Sequence, residues 1–419
     1  MSGSRRMSAD DWAATRFEAT RLFTPSTPIG VAELFAGRRQ QMSTLINTIG
    51  EPGRHAILYG EPGVGKTSVA QIIQYLIPRM PSQVRFIREP AFSNDTFSSL
   101  WLRVFSQIEL TLEQSGNTSR HALSEIYATG VSQGDVKRAL SLSFTLNDIP
   151  IIVIDEYNVI KDANVPAEMA ETIKSLSDDG VNVTIIVVGV SDSVGDLVRG
   201  HQSIIRCSEE ILMPRMDKNE MRELLEKRVS KLGMKIDGNT KWKIINLSKG
   251  LPAFAHSLGR GSVTNAIDAK HMIITEQDVD GAISMILRSS QNTLKEDYEL
   301  STKSNQDRAR FRQVLTACAL AKSDESGYFF PKQVQAPLNS ILGKVVDFAD
   351  FHKIIRDFTD EKRGGVLKQK GTDRQFRYRF RNPAMQPFVI MKGIEEGFLD
   401  DQAKLALSSP EQPDLFASV

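Results

Sequence analysis

Two short stretches hold the residue types that handle phosphate. The first is "GEPGVGKTS", Gly60-Glu61-Pro62-Gly63-Val64-Gly65-Lys66-Thr67-Ser68, which fits G-x-x-x-x-G-K-[ST]. Glycines let the backbone curl so that successive N–H groups point inward at phosphate oxygens. Lys66 can reach β- and γ-phosphates, and Thr67 can hold Mg²⁺. A helix starting here adds its positive end. The second is Asp155-Glu156, closing the apolar run "IIVIDE". An aspartate there can hold Mg²⁺ through water, and a neighbouring glutamate can orient or deprotonate an attacking water. The competing reading is an acidic pair that merely starts a helix after a strand.

These groups need a scaffold that presents strand ends. Ala56–Tyr59, Gln83–Ile87, "IPIIVIDE" (149–156) and "VTIIVVGV" (183–190) read as strands. Helical patterns fall between them, at 67–76, 96–114, 134–146 and 167–176. Continuous Val/Ile runs separated by helices imply a parallel sheet covered on both faces. From Asp217 the pattern becomes wholly helical to about Arg288. The polar stretch "RSSQNTLKEDYELSTKSNQDR" reads as a linker. Helices at 309–321 and 346–358 follow, then a β-hairpin formed by "GGVLKQKG" and "RQFRYRFRNP". The fold class is therefore α/β: a parallel-sheet nucleotide domain, a helical lid and a C-terminal winged-helix domain. The boundaries read as a loose arm with one short helix around Asp10–Arg21 over 1–30, the nucleotide domain over 31–215, the lid over 216–290, the linker over 291–308, the winged-helix domain over 309–400 and a disordered tail over 401–419.

Composition removes several classes. The 419 residues are 41% hydrophobic and 25% charged, with a net charge of +1, so no global field draws nucleic acid or a membrane. Two cysteines, Cys207 and Cys318, are too few for a disulfide framework or a zinc site. No apolar run reaches the length of a membrane span, and the start "MSGSRRMSADDWAATRF" lacks a signal-peptide core. The expectation is a cytoplasmic protein with no membrane partner. The scattered histidines make no metal set, and no protease, nuclease, deaminase or transferase site accompanies the phosphate loop.

In order, "LFAGRRQQM", "GEPGVGKTS", "IIVIDEYN" and "TIIVVGVSDS" resemble the AAA+ P-loop ATPases, in the origin-recognition and archaeal-ATPase-like branch that borders the STAND signalling NTPases. The resemblance spans about residues 30–290. It implies ATP and Mg²⁺ as cofactors, bound by the loop residues, and slow ATP hydrolysis through Glu156. It places Arg38 of the Gly37-Arg38 turn near adenine, and Ser191, with Asp192 as second choice, at the γ-phosphate or the water. Arg206 in "GHQSIIRCSEEILMPRM" matches an arginine that reaches a neighbouring subunit's ATP, which implies a homo-oligomer. Otherwise Arg206 is a surface arginine paired with Glu209 or Glu210. The lid arginine of many relatives is missing. Gly250-Leu251-Pro252 resembles the STAND turn that sets proline near adenine, and reads equally as a plain helix start.

The C-terminal hairpin concentrates charge. Lys362, Arg363, Lys368, Lys370, Arg374, Arg377, Arg379 and Arg381 face one acid, Asp373, between 362 and 381. In "FRYRFR" strand alternation puts Phe376, Tyr378 and Phe380 on one face and the arginines on the other, as an exposed ridge. Such a ridge suits the phosphate backbone of double-stranded DNA. A protein-effector dock, as in a STAND-like regulatory ATPase of, for example, phage defence, is the alternative. A solvated face is the third reading.

Overall fold

The computed structural model describes residues 7–25, 32–77, 83–114, 117–145, 147–191, 194–197, 204–304, 310–372, 375–399 and 403. Asp192, Arg374 and, but for Ala403, the expected tail 401–419 lie outside these. The chain divides into two compact units. One comprises residues 28–61 and 65–214, the other 1–27, 62–64 and 215–419. Helix α1 (Ala9–Leu22) belongs to the latter and is taken up there.

In the first unit, α2 (Arg39–Gly50) leads to β1 (His55–Gly60), α3 (Lys66–Leu76) and β2 (Gln83–Pro90). Then come α4 (Phe97–Phe105), β3 (Glu109–Gln114), β4 (Asn117–Ala122), α5 (Leu123–Ile126) and α6 (Gln133–Ser143). Strand β5 (Asp148–Asp155), α7 (Val165–Asp178), β6 (Thr184–Val190), α8 (Val194–Leu197), α9 (Ile204–Cys207) and β7 (Ser208–Leu212) complete it. Strands β2-β5-β6-β1-β7 form one parallel sheet in that order. The apolar runs of β1, β5 and β6 are buried throughout their centres, as a sheet covered on both faces requires. Gly60 lies beside Val190, and Pro90 beside Asp155, so the chemistry-bearing strand ends share one edge. That edge is where open parallel sheets bind ligands.

The helix expected over 96–114 stops at Phe105. Thr96 caps its start in a reciprocal box with Ser99, and the chain then forms the antiparallel β3–β4 hairpin. In the sequence Leu110 and Leu112 alternate with Thr111 and Glu113, the period of two of a strand rather than the 3.6 of a helix.

The second unit continues through α10 (Lys218–Lys231), β8 (Lys235–Ile236), α11 (Gly238–Ser248), α12 (Pro252–Asp268), β9 (Ile273–Ile274) and α13 (Glu276–Ser289). Helices α14 (Asn292–Thr302), α15 (Phe311–Leu320), α16 (Lys332–Leu342) and α17 (Phe348–Asp357) follow. The hairpin β10 (Leu367–Lys370) and β11 (Arg377–Phe380) precedes α18 (Met385–Glu395). Most of the expected linker is thus helix α14. Leu294 and Tyr298, one turn apart, are its buried face, and Tyr298 meets Phe388 of α18 edge-on at 5.7 Å. The short helix expected around 10–21 in the arm is α1. Fully buried Arg228 donates from Nε to the Leu22 carbonyl (2.9 Å), a cation on the negative end of α1. Phe23 fills the space above Gly259, where a Cβ would come within 2.4 Å of its ring.

Among the described residues, each unit contains one buried neutral histidine. His55 Nδ1 accepts the Ile185 N–H (3.0 Å), tying β1 to β6, and His256 Nδ1 accepts the Thr24 N–H (3.0 Å). Burial lowers both to about 3, helped by Arg54 beside His55 and by Arg228 and Arg260 beside His256. The unfolded chain, at the ordinary 6.5, takes up these protons first. Stability is therefore complete above pH 6.5 and falls as pH drops from 6.5 toward 3, by about 1.4 kcal/mol per pH unit per histidine. Urea midpoints measured from pH 7 to 4 should fall steeply. A His55→Asn variant should show a shallower fall, and an unchanged slope would refute the role of His55.

Candidate nucleotide site

The loop is built by left-handed backbone. Gly60 has φ 147°, and a Cβ there would lie 2.4 Å from the Met213 carbonyl oxygen, so only glycine fits. Gly65 has φ 95° and turns the chain into α3. Lys66 is 7% exposed, and its Nζ donates to the carbonyls of Gly60 (3.1 Å) and Glu61 (2.8 Å). Burial pulls its pKa down to about 8, against the opposing pull of Glu156, Asp155 and Glu61. Pro62, Gly63 and Val64 form the crest of the loop, with Gly63 at φ 79°, and Ser68 lies in the first turn of α3.

Asp155 closes β5, 1% exposed. Its Oδ1 accepts the Thr67 hydroxyl (3.3 Å) and the Glu156 N–H (2.9 Å). Its Oδ2 accepts Arg88 through Nη2 (2.6 Å) and Nε (3.2 Å). Glu156 has φ 55°, a left-handed conformation that costs a non-glycine residue about 1 kcal/mol or more and concentrates at functional sites. Two residues on, Asn158 Oδ1 accepts the Val190 N–H (2.6 Å), joining this turn to the end of β6 and hence to Ser191. A hydroxyl on a buried carboxylate, beside a glycine loop and a buried ammonium, is a donor set that fits Mg²⁺ and a triphosphate.

Residues 50–196, which contain the phosphate loop, Arg88, Asp155, Glu156, Asn158 and Ser191, match the family model of the AAA domain. That match spans about a third of the chain. Over 184 residues it is 27% identical to the ORC1-type DNA replication protein 1 of Aeropyrum pernix, covering 43% of this chain and 44% of that one. The chain thus spans less than half the length of that curated relative. Among solved structures it is similar to a Walker-type ATPase of Pyrococcus abyssi, with TM-score 0.53, 16% identity, and 88% and 99% of the two chains covered. It is also similar to the ORC2 protein of Aeropyrum pernix in its ADPNP–ADP complexes, with TM-score 0.50, 16% identity, and 90% and 98% covered. These likenesses concern the fold.

Beyond the AAA match, the expected residues are placed unevenly. Arg38, φ 59° and 3% exposed, starts α2 after Gly37. Arg206 is exposed at the end of α9, and Glu209, one of its two expected surface partners, is taken by Arg54 (2.9 Å). Pro252 occupies the first position of α12 in the second unit. Gly250 before it has φ 74°. Among the described residues no group of histidines, cysteines or acids forms a further metal set, and no helix is long and apolar enough to cross a membrane.

Arg88 was not legible. It lies on β2, beside Val153 in register, far from Asp155 in sequence. Locally it is one of three charges on the strand "QVRFIREP", with nothing to single it out.

The basic hairpin needs correction. The aromatic face holds, since Tyr378 and Phe380 are 1% exposed, but the arginines do not form an open ridge. Arg379 is 5% exposed, stacks over Tyr328 and donates to the Ser326 carbonyl (3.1 Å). Arg377 pairs with Asp324 (3.1 Å) and Arg381 with Glu361 (2.6 Å). The segment 324–329, joined to β11 through Phe329 and Tyr378, covers Arg379 in the middle of that face, while the Arg377 and Arg381 side chains stay 39% and 49% exposed. Lys370 is exposed beyond it and Lys368 is half-buried.

Proposed function

We propose that this chain is an origin-recognition-type AAA+ ATPase that uses ATP binding and slow hydrolysis as a switch. It assembles with copies of itself through the nucleotide sites and engages double-stranded DNA through a C-terminal winged-helix domain. The observation that carries the reading is the meeting of Thr67 with Asp155 at 3.3 Å, on strand ends that also present Lys66 and Glu156. The loop N–H groups and Lys66 bind the β- and γ-phosphates. Thr67 and Asp155 would hold Mg²⁺, which supplies charge neutralisation on the phosphates. Glu156 takes the proton of the attacking water, and Ser191 contacts the γ-phosphate or that water. Arg38 contacts adenine, and Arg206 is supplied to the ATP of a neighbouring copy. A cytoplasmic location fits two buried thiols with no disulfide.

The name of the Aeropyrum pernix relative, a DNA replication protein, supports DNA as the partner. The contacts would come from Lys368, Lys370, Arg377 and Arg381, with Arg379 bracing the hairpin and Arg374 beside them in sequence. The test replaces Lys370, Arg377 and Arg381 by glutamine and leaves Arg379 in place. Each lost phosphate contact should flatten the logarithmic salt slope of duplex binding by about 0.9. DNA-stimulated ATPase should fall while basal ATPase remains. Unchanged affinity and slope would refute the DNA surface.

A further inference from the structure

We infer that Arg54 is a positioning residue for Arg206, holding the α9–β7 corner so that the Arg206 guanidinium stays available to a neighbouring copy. This rests on the reading of Arg206 as the group supplied in trans. Arg54 immediately precedes β1, whose first residue, His55, pairs with Ser208 at the start of β7. The parallel register therefore brings Arg54 against the end of α9. Its Nη1 donates to the Arg206 carbonyl oxygen (2.8 Å), and its Nη2 donates to Glu209 Oε2 (2.9 Å). Its Nε lies 3.4 Å from Glu51 Oε2, a charge contact with the turn after α2.

The arrangement does two things. A cation on a last-turn carbonyl stabilises the end of a four-residue helix that has little stability of its own. It also engages the carboxylate three residues beyond Arg206. If Glu209 were released, it would be the nearest acid in sequence to Arg206 on its C-terminal side and would neutralise the charge meant for the neighbour. A lysine holds the two acceptors less well, because only the guanidinium offers them two separate nitrogens fixed in a planar fork.

The test uses the full chain. Arg54→Ala should bind a fluorescent ATP analogue as wild type does, with KM for ATP unchanged and kcat reduced ~10- to 100-fold, the usual cost of a small misplacement. Arg54→Lys should fall between the two. Adding Glu209→Gln to Arg54→Ala should recover part of the rate, which a merely structural role would not allow. Mixing Arg54→Ala with Lys66→Ala protein should also restore activity, because some interfaces then join an intact Lys66 to an intact Arg54–Arg206 pair. Wild-type kcat in both Arg54 variants would overturn the inference. So would a mixture that stays inactive while Arg206→Ala with Lys66→Ala recovers, which leaves the Arg206 reading standing. If neither mixture recovers, the reading in trans fails and the role of Arg54 falls with it.

Discussion

Lys66→Met should abolish ATP binding and at the same time make the nucleotide-free protein more stable. The side chain is buried, and among the described residues its ammonium donates to two loop carbonyls, those of Gly60 and Glu61. Its pKa falls from 10.5 to about 8. Holding the charge there at pH 7 costs on the order of 3 kcal/mol relative to the unfolded chain. Methionine has a similar length and carries no charge to desolvate. The two lost hydrogen bonds take back part of the gain, at about 1 kcal/mol each. The net gain should be on the order of 1 kcal/mol. The sign can be checked by pH. Between 8 and 10.5 the unfolded wild-type chain binds more protons than the folded one, so wild-type stability rises with pH through that window. The variant should lack that rise. Thermal melts at pH 7 and 9.5, with titration of a fluorescent ATP analogue, measure all three effects. Undiminished nucleotide affinity would remove Lys66 from the site. A variant that keeps the alkaline rise would show that the ammonium is not the strained group.

What was legible in the sequence is what local pattern controls. The phosphate loop was readable because glycines at fixed offsets, a preceding strand and a following helix are all decided within about twenty residues. Asp155 and Glu156 were readable as the end of a run too apolar to be anything but a central strand. Arg88 was not, because its partner is set by the β2–β5 register, and register is a property of the assembled sheet. Arg54 escaped for the same reason across β1 and β7. Helix α14 was hidden by its polar composition, since one turn of Leu294 and Tyr298 is its main apolar signal. The alternation in "FRYRFR" correctly buried Tyr378 and Phe380. It could not foresee that Tyr328, from a distant segment, would cover Arg379 on the opposite face.

Glu156→Gln should leave ATP bound and reduce turnover by about 10²- to 10⁴-fold, the range expected when a general base is removed. Glutamine keeps the shape of the side chain. The backbone N–H that Asp155 Oδ1 accepts at 2.9 Å is untouched, so Thr67, Asp155 and Arg88 keep their arrangement. Any ATP-dependent assembly should then persist, and size-exclusion chromatography with ATP should show it long after wild-type protein has dispersed. Glu156→Gly separates chemistry from strain. At φ 55° a glycine relieves a conformation that costs glutamate about 1 kcal/mol, so this variant should melt no lower than Glu156→Gln while being equally inactive. The pair of variants thus tests whether the left-handed backbone is kept for the carboxylate it presents. If Glu156→Gln hydrolyses ATP at the wild-type rate, another group handles the water and the acidic pair serves Asp155 alone. If Glu156→Gly is active while Glu156→Gln is not, the loss in the glutamine variant is geometric, and the assignment of Glu156 as base is wrong.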